Sequence, residues 1–127
     1  MYARRILYCM AMDRDRIDAL LPLRPVEFHI LLSLAAGERH GYGIIQDIEA
    51  RGDAAVPDVG TMYRALARMA ESGLIAASPA ADASDERRIN YRITALGKEA
   101  AVAEARRMEA CLALVRSTRL AARLETG

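Results

Sequence analysis

The hydrophobic period of this chain changes in mid-sequence, and that change limits the folds open to it. Up to Gly73 the apolar residues recur at helical spacing; from Leu74 to Ile93 they recur every second residue; from Thr94 onward the helical spacing returns. A helical block, a short hairpin and a long closing helix are therefore expected, in that order. The length of 127 residues leaves room for one modest core. The expected fold class is mainly α with a small β-hairpin.

Local signals place the elements. Asp13 caps a short helix to Leu21, with Ile17, Leu20 and Leu21 on one side, and Pro22 and Pro25 end it. A second helix runs from Pro25, a residue suited to a first helical position, to Ala36, before Gly37. Its expected buried stripe is Phe28, Leu31, Leu32 and Ala35. A third runs from Tyr42 to Arg51 with Ile44, Ile45 and Ile48 as its apolar edge, and Gly52 ends it. Gly41 and Gly43 at its start let the backbone come close to another group. After the loop Asp53–Pro57, Asp58 caps a fourth helix that reaches Ser72. Met62, Leu66 and Met69 point inward from it; Thr61, Arg64 and Arg68, spaced i, i+3, i+7, share its outer side.

The hairpin is expected from Leu74–Ser78, a polar turn over Pro79–Asp85, and Arg87–Ile93. Ile89, Tyr91 and Ile93 lie on its buried face; Arg88, Asn90 and Arg92 lie on the other. Thr94 then caps a helix reaching about Leu124, with Gly97 weakening only its first turn. Ala101, Ala105, Met108, Leu112 and Val115 repeat four, three, four, three, the seam of a coiled coil. A helix of about 30 residues spans about 45 Å, more than this core can cover, so part of its stripe needs a second chain. The expected divisions are an N-terminal extension over 1–22, a body over 23–94 and a dimerisation helix over 95–127.

Three helices, a hairpin and a long helix is winged helix-turn-helix order, in which the helix before the hairpin enters the major groove of double-stranded DNA. That helix offers Thr61, Arg64 and Arg68, and its first-turn amides near Gly60 can donate to a phosphate. Arg87 and Arg88 stand beside the wing turn, placed for phosphates or the minor groove. Arg39 and His40, ahead of the third helix, are further phosphate candidates. The net charge is only +1, and of 18 cations Lys98 is the single lysine. Arginine makes forked contacts that lysine cannot, but an arginine- and alanine-rich chain equally fits a GC-rich coding bias. A winged-helix module that binds protein instead of DNA is the alternative; the polar outer face of the fourth helix speaks against it, since an interaction helix exposes apolar anchors.

Other chemistries find little support. His29 and His40 have no cysteine near them in sequence, so no metal site is expected. Ser33, Ser72 and Ser78 lack a nucleophile motif, and the Gly41–Gly43 pair lacks the lysine and preceding strand of a phosphate-cradling loop. No catalytic site and no cofactor are expected. Cys9 and Cys111 are expected to be buried thiols. The apolar segment Ile6–Met12 is too short for a signal peptide, and no run approaches the roughly 18–20 residues that span a bilayer. The expected setting is cytoplasmic, away from membranes.

Three blocks carry a closer likeness. FHILLSLAAGERHGYGII over Phe28–Ile45, VGTMYRALARMAESGLI over Val59–Ile75 and ERRINYRITALG over Glu86–Gly97 stand in order and at the right spacing. Together, over about Leu23 to Lys98, they resemble the PadR family of winged-helix transcriptional regulators, in particular its compact members with a single C-terminal helix. The resemblance implies a homodimer joined through the last helix, a two-fold operator, and repression often relieved by a small-molecule effector. It implies a DNA surface of Tyr42, Thr61, Tyr63, Arg64, Arg87 and Arg88. Tyr63 also lies beside the core edge of its helix, where packing competes with DNA contact. Compact members that hold flat aromatic drugs do so between tryptophans; this chain has none, so that mode does not carry over.

Overall fold

The structure, a computed structural model, describes residues 14–52, 57–79 and 89–126. Helix α1 covers 14–20. It is followed by α2 (Pro25–Ala35), β1 (Arg39–His40), α3 (Gly41–Arg51), α4 (Val59–Glu71), β2 (Ile75–Pro79), β3 (Ile89–Ile93), α5 (Ala95–Arg116) and α6 (Ala121–Thr126). The Asp13 cap and the wing-turn arginines Arg87 and Arg88 lie outside the described residues.

The helix starts expected at Pro25, Asp58 and Thr94 are present, whereas α3 starts at Gly41 under a His40 cap and not at Tyr42. Pro25 opens α2. The Asp58 carboxylate accepts the Thr61 N–H at 3.2 Å at the start of α4, and Gly73 leaves its end with a left-handed φ of 83°. Thr94 Oγ1 accepts the Gly97 N–H at 3.0 Å at the start of α5.

The sheet has three strands, antiparallel in the order β1-β3-β2, and not the two of a simple hairpin. The wing pairs Ile75 with Ile93, Ala77 with Tyr91 and Pro79 with Ile89. The additional strand pairs Arg39 with Tyr91 and His40 with Asn90. Two residues give no readable period, so only tertiary pairing reveals β1. Of the expected inward face of β3, Tyr91 is buried, Ile93 is half-buried and Ile89 is exposed where the wing leaves the body.

The core joins Ile30, Leu31 and Leu34 of α2, Ile44, Ile45 and Ile48 of α3, Met62, Ala65, Leu66 and Met69 of α4, and Leu74, Ile75, Tyr91 and Ala100. Each large member contributes about 1.5–3 kcal/mol by burial. The expected α2 stripe is corrected: Leu31 is buried, but Phe28 and Leu32 are half-buried and Ala35 is exposed. This helix packs against α3, α4, α5 and β3 together, and a segment that is apolar nearly all round offers several stripes of equal periodicity.

The first turns of α5 lock onto the body. A Cβ at Gly97 would lie 2.1 Å from the Leu74 carbonyl oxygen, so this glycine permits a packing contact as well as interrupting the helix. The far end of α5 departs from the expected helix to Leu124: it stops at Arg116. The Ser117 and Thr118 hydroxyls donate to the carbonyls of Leu114 and Val115, each at 2.6 Å. Thr118 Oγ1 also accepts the Leu120 N–H at 3.1 Å. These local bonds compete with the helical ladder, and α6 restarts after them.

Candidate nucleic-acid interface

α4 turns one side to the core and the other to solvent. Met62, Ala65, Leu66 and Met69 are buried, while Gly60, Tyr63, Arg64, Ala67 and Glu71 are exposed. Thr61 and Arg68 are half-buried on one flank of that outer face. The outward centre is therefore Gly60, Arg64, Ala67 and Glu71, and the expected Thr61–Arg64–Arg68 row forms its edge. Val59, at the first turn, is 60% exposed. The sequence points to the amides near Val59 and Gly60 but not to the outward position of Ala67, which a helical wheel centred on Met62 and Leu66 places outward.

Thr61 organises this end of the helix. Arg64 Nη2 donates to Thr61 Oγ1 at 3.2 Å. Hydrogen bonds from the Thr61 hydroxyl and then its N–H hold the Asp58 carboxyl below its ordinary value of 3.8, and the Arg64 charge adds to this. With Thr61 capped, the Val59 and Gly60 amides are left without helical acceptors. A Cβ at Gly60 would stand 3.2 Å from Arg64 Nη1, so the bare backbone lets the guanidinium lie along the first turn.

The start of α3 borders the same region. His40 Nδ1 accepts the Gly43 N–H at 2.9 Å, which leaves the proton of the neutral ring on Nε2. Tyr42 is exposed and His40 half-buried. The close approach expected at Gly41 is to Tyr63: a Cβ there would meet the Tyr63 hydroxyl at 2.8 Å. Tyr63 thus packs one edge against α3 and remains 45% exposed. Arg39 is differently placed from the free phosphate ligand its sequence position suggested. It donates to the Ser33 carbonyl at 3.2 Å and faces Asp47 at 3.7 Å, pinning β1 to α2 and α3. On the wing, Arg92 is exposed and Asn90 half-buried.

The transcriptional regulator PadR-like family model matches residues 30–103, more than half of the chain. The chain belongs to this PadR-like family. The family is one of transcriptional regulators and not of enzymes. A transcriptional regulator from Clostridium thermocellum is 27% identical with a TM-score of 0.65, over 74% of this chain and 89% of that one. A PadR family regulator from Clostridium difficile R20291 is 25% identical with a TM-score of 0.63, over 72% of this chain and 95% of that one. Bacillus subtilis PadR in complex with operator DNA is similar in fold, with 23% identity and a TM-score of 0.54, over 60% of this chain and 44% of that one. No curated protein matches the chain.

Among the described residues no group of three or more His, Cys, Asp or Glu side chains could hold a metal ion, and no helix is long and apolar enough to cross a membrane. Cys111, expected to be buried, is exposed on α5. Among the described residues the body ends short of that turn. Along the expected seam Ala101 and Val115 are half-buried, and Ala105, Met108 and Leu112 are exposed.

Proposed function

We propose that this PadR-type chain is a sequence-specific DNA-binding repressor that acts as a homodimer on a two-fold operator and is released by a small-molecule or other signal. The observation that carries the reading is the division of α4. Its inner side is sealed into the core, while its capped N-terminal turns present Gly60, Arg64, Ala67 and two bare amides to solvent. A helix so divided suits a major groove, with the exposed Arg64 guanidinium able to fork onto a guanine edge and the amides onto a phosphate. Tyr42, His40, Tyr63, Thr61 and Arg68 flank that contact, and Arg87 and Arg88, assigned from the sequence alone, are the proposed contacts to the neighbouring backbone. The family membership and the operator complex of a protein with the same fold support it.

Ala101, Ala105, Met108, Leu112 and Val115 of α5 form the seam with a second copy. Beyond the body, Met108 is 40% exposed and Leu112 36% exposed, which favours a partner over solvent. A signal that shifts the two α5 helices displaces the recognition helices from successive grooves and releases the DNA. The test is a gel shift with duplex DNA from upstream of the chain's own gene, at several salt concentrations. A sequence-specific shift of a two-chain complex is expected. Absence of any salt-sensitive DNA binding, with capture of a protein instead, would overturn the reading.

A further inference from the structure

Helix α1 lies outside the stretch that the family model matches, yet it is built into the joint between α4 and α5. Three consecutive carbonyls leave the end of the recognition helix, and each is taken. Arg16 Nη2 on α1 donates to the Ser72 oxygen at 3.2 Å. The Thr94 hydroxyl, at the cap of α5, lies 2.6 Å from the Gly73 oxygen and 3.0 Å from the Leu74 oxygen. The Thr94 N–H donates to Leu74 as well, at 3.2 Å.

The other end of α1 is fastened to α5. The Leu23 N–H, just after the helix, donates to Glu104 Oε2 at 3.0 Å in a buried contact. Glu104 is 2% exposed, and Arg107 closes on its carboxylate from the outer side. A carboxylate taken this far out of water adds little to stability compared with an apolar side chain of the same size. What it adds is direction: it fixes one backbone amide to one turn of α5. Ile17 completes the attachment by burying its side chain.

These contacts close a circuit that runs from the end of α4 through Arg16, α1, Leu23, Glu104 and α5 to Thr94, and back to α4. Without α1, α4 and α5 remain joined at the Thr94–Gly97 corner and through α2, which packs on both; α1 adds a direct tie from the end of α4 to the Glu104 turn of α5. We propose that α1 is a brace that sets the angle between the recognition helix and the dimer helix, with Arg16 and Glu104 as positioning residues, so that the dimer accepts one half-site spacing. The inference rests on the dimeric DNA-binding reading above. One added base pair moves a half-site by about 3.4 Å and turns it by about 35°. A joint with this tie resists that step more than one without it.

The test uses the full chain and a pool of random-sequence duplexes, from which the parent, Arg16→Ala and Arg16→Lys each select their sites. The parent is expected to select paired half-sites at a single spacing. Arg16 is exposed, so Arg16→Ala is expected to keep the thermal midpoint and the half-site sequence. Its preference for the best spacing over one that is a base pair longer is expected to fall by about 3- to 10-fold. Arg16→Lys retains a donor for the Ser72 carbonyl and is expected to recover part of that preference. An Arg16→Ala chain with the parent's spacing preference overturns the brace and leaves the DNA-binding reading standing. A parent that selects no paired half-sites overturns both. In the free protein, amide exchange at Leu23 is expected to be slow in the parent and fast in Glu104→Ala; rapid exchange in the parent overturns the latch to α5.

Discussion

At Gly97 a methyl group would stand 2.1 Å from the Leu74 carbonyl oxygen and 2.9 Å from Ile93 Cγ1. The nearer atom belongs to the backbone at the end of α4, which cannot move aside without shifting the recognition helix. Gly97→Ala is therefore expected to destabilise the fold by about 2–3 kcal/mol, although alanine is the better helix former. Urea unfolding checks this through a lower midpoint at unchanged slope; an unchanged or raised midpoint would show that the corner yields. Asp58 gives a second residue-level expectation. Its folded value lies below 3.8 because Thr61 donates to it, so its stabilising contribution is present above that pH and fades as the pH falls through the folded value. Asp58→Ala is expected to be less stable than the parent at neutral pH, and the gap is expected to narrow as the pH falls through the folded value of Asp58. A gap that does not narrow would mean the cap acts without its charge.

Among the elements, α4 was the most legible in sequence, because Asp58 and Gly73 mark both ends and Met62, Leu66 and Met69 mark one face. Its outer face was legible only in part. Spacing told which residues share a side, but the centre of that side depends on where α2 and α3 press, which sequence does not state. The same cause blurred α2, whose segment from Phe28 to Ala35 is apolar in most directions and sits against four elements. β1 was invisible, since Arg39–His40 becomes a strand by pairing with Tyr91 and Asn90. The break in α5 had a signal, the adjacent Ser117 and Thr118, but a hydroxyl pair inside an apolar repeat is common enough to be passed over. The proposed seam ends at Val115, before that break, so the stop at Arg116 does not interrupt it. Leu112→Asp would place an unpaired carboxylate in the seam and is expected to weaken association by about 10²-fold or more. Sedimentation should show the parent at twice the chain mass and this variant at one, with helical content retained. A variant that stays fully dimeric would move the interface elsewhere.

For the whole molecule, the proposed function requires that two copies of α4 be held at a fixed separation. The core fixes α4 through its inner face, and the Thr94–Gly97 corner, α2 and α1 fix it to α5; in the proposed dimer, paired α5 helices fix the two copies to each other. The recognition helices must then meet successive major grooves about 34 Å apart, and any signal that changes the pairing of α5 acts at a distance through these rigid links. All of this requires that the exposed side of α4 faces DNA. The direct measurement is operator affinity against salt concentration for the parent and Arg64→Ala. The account predicts that Arg64→Ala binds more weakly by about 1–3 kcal/mol, relaxes preference at one base position, and lowers the salt slope if Arg64 also meets a phosphate. Equal affinity, equal base preference and equal slope in the two proteins would contradict it.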